Sequence, residues 1–312
     1  MARSLRDIRR KMKAIKSTSQ VTKAMELVAA SKMRKAVQNA QMLRHYALSA
    51  WRILQSIAKT KGQANHSFLE QRPVKNVLGI IFTSDRGLCG SLNAQLFRTT
   101  SQYLKGLKDI KGFENIDFIT VGKKGHQFLT RQGQTVIATF PALSNNPRYK
   151  DILPITKLAI DSFKNGTYSH VVLIYTNFIS PLVQEASAKV LLPFSESDLQ
   201  KMVLNLTQNR RITKEEMESR EHEDADIIDY AIEPSPEEVL DVILPQLAQV
   251  QVYQAVLESV ASEHSARMVA MRNATDNAKD ILDDLTLTYN QTRQANITAE
   301  LAELSASKAA LD

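Results

Sequence analysis

After Pro245 the chain runs to Asp312 without another proline and without a glycine. Along this stretch Ile243, Leu247, Val250, Leu257, Ala261, His264, Met268, Met271, Ala278, Leu282, Leu285 and Tyr289 recur at spacings of three, four or seven. That 3.5-residue rhythm predicts one very long helix carrying a coiled-coil seam. At 1.5 Å per residue, some seventy residues extend roughly 100 Å. A stripe of that length cannot be buried against itself, so it requires an equally long partner. Ser235, Pro236 and Glu238 mark its start as N-cap, first helical residue and capping-box acid. Pro245 is expected to bend it.

Only residues 1–60 can supply the partner. Leu5, Ile8, Met12 and Ile15 begin a stripe that resumes at Met25, Ala29, Met33, Ala36, Ala40, Leu43, Ala47, Trp51, Leu54 and Ala58, unbroken by Gly or Pro. Many of these side chains are small, which permits close helix–helix approach. Residues 1–60 carry fourteen Lys/Arg and two acids, whereas 235–312 carry five basic and twelve acidic residues. Helices of opposite charge attract when they lie side by side. The basic helix also leaves open a nucleic-acid interface or a solvated face. Its Arg-rich beginning has some character of an organellar presequence, but the stripe already starts at Leu5. No run of about 18 apolar residues is present to span a membrane. The single cysteine, Cys89, excludes an intrachain disulfide and fits a reducing compartment.

Between the helices, residues 74–232 have a different grammar. Strands are predicted at Asn76–Thr83, Asp117–Val121, Thr135–Thr139, His170–Thr176 and Pro181–Leu192. Helices are predicted at Ser91–Lys108, near Lys124–Arg131 and near Pro154–Lys164. Strands alternating with helices imply a largely parallel, doubly wound, Rossmann-like α/β sheet. The fifth strand follows the short turn Asn177–Ser180 and is expected to be an antiparallel edge. The fold class is therefore α/β: a long antiparallel two-helix coiled coil from both termini plus this central domain. An acidic insertion near 204–229 reads as a solvated element, with a regulatory contact to a basic neighbour as the sharper alternative.

The sharpest local motif is Thr83-Ser-Asp-Arg-Gly-Leu-Cys-Gly-Ser-Leu-Asn93, leaving a strand and entering a helix. Its backbone amides are placed to cradle a phosphate. No Gly-Lys-Ser/Thr follows, and the plainer reading is that the glycines only permit a tight turn. Gly122-Lys-Lys-Gly125 poses the same choice. Cys89 near a helix N-terminus has the setting of an acidified thiol, but lacks an evident His partner, which favours packing. The six histidines form no metal-spaced cluster, and His264 on the seam reads as a core or register residue. No catalytic constellation emerges. Polar seam positions Gln254, Thr275, Thr292 and Asn296 weaken a permanent seam and fix register.

Ile15-Lys-Ser-Thr-Ser-Gln-Val-Thr-Lys-Ala-Met-Glu-Leu-Val-Ala-Ala-Ser-Lys-Met-Arg34 resembles the N-terminal signature of the gamma subunits of F-type ATP synthases. So do the Thr83–Gly90 motif, Ala266-Arg-Met-Val-Ala-Met-Arg-Asn-Ala-Thr-Asp-Asn277 and the closing Tyr289–Glu300 segment, in the family's order. The resemblance implies a central rotor shaft that couples proton-driven rotation of a c-ring to the catalytic beta subunits. It implies a shaft inside a hexamer of three alpha and three beta subunits, with epsilon and the c-ring below. No cofactor, metal, nucleic-acid partner, bond chemistry or direct membrane insertion belongs to such a subunit. A bacterial member would be peripheral on the cytoplasmic face of the plasma membrane. By the same resemblance Met25, Arg267, Gln294 and Thr298 are expected to couple shaft angle to the beta subunits, the basic Lys23 to contact acidic beta-subunit loops, and Arg86 to face the base of the hexamer. A plant-type redox switch needs two cysteines and is excluded by the lone Cys89. From the residues alone, a nucleotide-binding enzyme using the Arg86–Gly90 turn and a basic nucleic-acid scaffold stay open.

Overall fold

The computed structural model describes residues 5–61, 66–194 and 235–309. The stretch 204–229 lies outside the described residues, as do the side chains of Ala47, Trp51, Leu54 and Ala58. The described elements are α1 (Leu5–Lys61), β1 (Asn76–Phe82), α2 (Leu92–Lys108), β2 (Asn115–Val121), α3 (Lys123–Arg131), β3 (Thr135–Phe140), α4 (Tyr149–Lys164), β4 (His170–Phe178), β5 (Gln184–Leu192) and α5 (Pro236–Ala309). The chain divides into two compact units, one of residues 1–30 with 267–312 and one of residues 31–266.

In the larger unit five strands form one sheet in the order β3-β2-β1-β4-β5. The first four are parallel, and β5 runs antiparallel to β4 from Phe178↔Gln184 to Val171↔Leu192. Six of the seven β1 residues are buried, the continuous apolar pattern of a strand covered on both faces. On one face Leu78, Ile80 and Phe82 pack with Ile152, Ile155 and Phe163 of α4 and with Leu244, Leu247 and Val256 of α5. On the other, Val77, Ile81 and Phe118 meet Leu96 and Leu104 of α2 and Leu129 of α3. Helices thus cover both faces of a parallel-rich mixed sheet.

Two expected boundaries move by three residues or more. The fourth helix starts at Tyr149, not near Pro154, because the Asp151 carboxylate accepts the backbone N–H of Arg148 at 2.9 Å and closes an earlier first turn. Pro154 sits inside the helix. The fifth strand starts at Gln184, because Ser180 draws the N–H groups of Leu182 and Val183 onto its Oγ and holds Pro181–Val183 as a turn.

In the smaller unit, Ile8, Thr22 and Ala29 of α1 are buried, as are Met271, Thr275 and Ala278 of α5. Thr22 Oγ1 lies 2.7 Å from Thr275 Oγ1, and Arg9 donates to the Tyr289 hydroxyl at 2.6 Å while stacking over its ring. Every residue of the expected α5 stripe from Ile243 to Tyr289 is buried or half-buried. The Ser235 cap is present, its Oγ accepting the N–H of Glu238 at 3.2 Å.

Candidate functional site

The Thr83–Asn93 turn is held by its side chains. Thr83 Oγ1 accepts the N–H of Gly125 at 2.8 Å and donates to Val121 O at 3.2 Å. The Asp85 carboxylate accepts two backbone N–H groups, from Lys123 at 2.8 Å and Ala142 at 3.3 Å, tying the ends of β1, β2 and β3 together. Ser84 Oγ donates to Arg86 O at 2.7 Å, and Asn93 Nδ2 donates back to Ser84 Oγ at 2.8 Å. Leu88 and Gly90 take positive φ of 63° and 58°. Cys89 is buried, with Asn93 Nδ2 3.5 Å from its sulfur. The result is a braced turn whose tip, Arg86 to Leu88, is exposed. Gly122 has φ 104°, and a Cβ there would collide with the carbonyl of Thr83. Its glycine is required by backbone approach.

In this strand order the crossover direction reverses between β1 and β4. That crevice is where ligands of doubly wound sheets bind. Here α5 occupies it. The space left between Thr83, Ser84, Asn93, Ser144 and Thr176 on the sheet side and Val256, Ser259, Val260 and Glu263 on α5 is about 20 Å³. That is room for one water, against roughly 300 Å³ or more for a ligand pocket. The phosphate-cradle reading of the turn therefore meets a filled crevice, and its glycines serve the turn and the backbone approach.

One turn further back, Glu258 is half-buried, with its carboxylate Oε2 shielded from solvent. Gln254 Nε2 donates to its Oε1 at 2.8 Å, while Lys189 Nζ donates to the Tyr175 hydroxyl at 2.8 Å. Burial raises the Glu258 carboxyl above the usual carboxylate range, against the opposing pull of Gln254, Lys189 and Tyr175. Burial, with the Glu258 charge beside it, raises the Tyr175 phenol well above its ordinary value. Tyr168 is pushed up to about 12 by burial and by its hydrogen bond to Asp117.

The six expected contact residues do not form one cluster. Lys23 is exposed and pairs with Glu26 at 2.9 Å, while Met25 is half-buried. Arg267 is half-buried on α5. Gln294 and Thr298 are exposed one helical turn apart, Thr298 Oγ1 donating to Gln294 O at 3.0 Å. These five belong to the smaller unit, and Arg86 to the larger. Reading the sequence missed Asp85, Thr22 and Arg9. Thr22, three residues before Met25, carried a spacing signal; Asp85 carried none, since its partners are 38 and 57 residues away. Among the described residues no group of three or more His, Cys, Asp or Glu side chains could hold a metal ion, and no helix is long and apolar enough to cross a membrane.

The fold is that of a helix-flanked α/β protein, a five-stranded sheet whose ligand crevice is taken up by the second of two terminal helices of 57 and 74 residues. In fold it resembles the central stalk and c-ring structure of the Tetrahymena thermophila mitochondrial ATP synthase (TM-score 0.54, 26% identity, covering 81% of this chain and 99% of that one). It also resembles a chain of the Euglena gracilis mitochondrial ATP synthase (TM-score 0.61, 20% identity, 98% and 94%). Residues 4–311 match the family described as ATP synthase. The chain is 43% identical to the ATP synthase gamma chain of Roseiflexus castenholzii, covering 99% of this chain and 98% of that one. It is 36% identical to that of Legionella pneumophila, covering 98% and 99%. The chain belongs to the ATP synthase gamma chain family.

Proposed function

We propose that this chain is the central rotor shaft of an F-type ATP synthase. It couples proton-driven rotation of a c-ring to conformational changes at the catalytic beta subunits, which make ATP from ADP and phosphate, and performs no bond chemistry itself. The observation that carries this is the match to gamma chains over nearly the whole length of both partners. In this reading residues 1–60 and 235–312 pair as an antiparallel coiled coil around a central domain of 74–232. Two hydrogen bonds support the direction: the step from Arg9 forward to Thr22 answers the step from Tyr289 back to Thr275.

Lys23, Met25, Arg267, Gln294 and Thr298 are then the contacts toward the beta subunits, and Arg86 the contact at the base of the hexamer. The exposure of Lys23, Arg86, Gln294 and Thr298 supports that role. Exposed charges attract weakly and are screened by salt, which suits surfaces that slide. The partners are three alpha and three beta subunits, an epsilon subunit and the c-ring, with the complex peripheral on the cytoplasmic face of a plasma membrane. The test is reconstitution with alpha and beta subunits. A stable complex holding one copy of this chain per three beta subunits, with rotation during hydrolysis, is expected; a chain that does not assemble sinks the reading.

A further inference from the structure

Between Ser262 and Ser265 every residue of α5 carries a side-chain hydrogen bond to the α/β body. Ser262 Oγ donates to Thr176 O at 3.2 Å, at the last buried residue of β4. Ser265 Oγ donates to Pro181 O at 2.6 Å, in the β4–β5 turn, and accepts from Gln184 Nε2 at 3.4 Å. On the other side, Glu263 Oε2 accepts from Ser144 Oγ at 3.0 Å, and His264 Nε2 donates to Ser144 O at 2.9 Å. All four side chains are buried, Ser262 and Ser265 completely. At about 100° per residue, the bonds of Ser262 and His264 leave the helix in nearly opposite directions. Apolar burial is non-directional and by itself singles out no angle about the helix axis; interdigitated core side chains of α5 resist rotation only through their packing. Directional bonds at opposed azimuths resist that rotation.

We propose that Ser262–Ser265 is the joint that fixes α5 in angle against the sheet, with Ser262 and His264 as positioning residues for torque transfer. This rests on the rotor reading. The joint lies immediately before Ala266 and Arg267, where the chain passes from the larger unit to the smaller. A load borne by the shaft part of α5 thus meets these bonds first. Ser144 serves twice, as donor and through its carbonyl, so the β3–α4 loop is one jaw of the joint and the β4–β5 turn the other.

The test uses the full complex, with alpha, beta and the membrane sector in proton-tight vesicles, reading ATP hydrolysis and ATP-driven proton uptake. Ser262→Ala combined with His264→Leu is expected to keep hydrolysis within about twofold while protons moved per ATP fall about threefold or more. His264→Gln, which keeps a donor, is expected to retain the parent ratio. A parent complex that couples and a double variant with the same ratio overturn the joint. A parent that does not assemble overturns the rotor reading and the joint with it. Where circular dichroism of the full chain reveals an unfolded double variant, Ser262→Ala alone decides. The angular spread of a bead carried by the rotor is expected to widen about twofold, and an unchanged spread overturns the inference.

Discussion

Thr22 Oγ1 and Thr275 Oγ1 meet at 2.7 Å on the buried faces of α1 and α5. Each hydroxyl also reaches a carbonyl of its own helix, Ser19 O at 3.0 Å and Met271 O at 2.8 Å. Thr275→Val keeps the shape and leaves Thr22 without its cross-helix partner, at a cost of about 1–2 kcal/mol. The double variant Thr22→Val/Thr275→Val removes both polar groups and is expected to lose less than the two single variants together. Urea unfolding of the four chains measures this cycle. Additive losses would mean that the two hydroxyls do not interact.

Asp85 joins three loops through two N–H groups. Asp85→Ala leaves both amides without a protein acceptor and is expected to destabilise the chain by about 2 kcal/mol. Asp85→Asn, which retains one acceptor oxygen, should cost about half of that. If the turn presents Arg86 to a partner, Asp85→Ala also weakens assembly with alpha and beta subunits in proportion to the loosened turn. Titrated complex formation by gel filtration reads this. Equal assembly by both variants would separate the turn's rigidity from its contact.

Glycine substitutions should diverge by site. Gly122→Ala places a methyl group into the Thr83 carbonyl at a positive φ, and the expected loss is about 4 kcal/mol or failure to fold. Gly133 also has a positive φ, 68°, but open space around it, and Gly133→Ala should cost only about 1 kcal/mol. Thermal melts of the two variants compare them directly.

Glu258 predicts an acid-side preference. A carboxyl whose folded pKa is raised binds more protons in the folded chain than in the unfolded one. Stability therefore falls as pH rises from the unfolded carboxylate pKa through the raised folded value. Glu258→Gln removes this dependence. It should be more stable than the parent at pH 8, with the advantage shrinking toward pH 4. Denaturation midpoints across that range check it, and a parent that gains stability relative to Glu258→Gln on alkalinisation contradicts it.

Much of this architecture was legible in residue patterns. The two-faced burial of Val77–Phe82 and Val171–Tyr175 is written as continuous apolar runs, and β5 after a short turn had to be antiparallel. The helix start at Tyr149 was not legible, because Pro154 is a strong local signal and Asp151 acts through one carboxylate geometry. The Arg86 turn was recognised by its glycines, yet its brace was hidden. Asp85 bonds residues that only the folded sheet brings near. The same holds for Glu258: its partner Gln254 is one turn away on the same helix, whereas Tyr175 and Lys189 come from strands. Local periodicity records which face is buried; it does not record which buried polar groups find each other.

The filled crevice has a consequence for how such a chain can be regulated. A diffusible ligand at that place would leave at a rate set by its affinity, and a competitor could displace it. The occupant here is a segment of the same chain, so its local concentration is fixed by connectivity and does not change with dilution. A competitor in the medium has to exceed that fixed effective concentration, and it gains access only as α5 opens locally from the sheet. A topology that elsewhere offers reversible occupancy has been made into a permanent fastening.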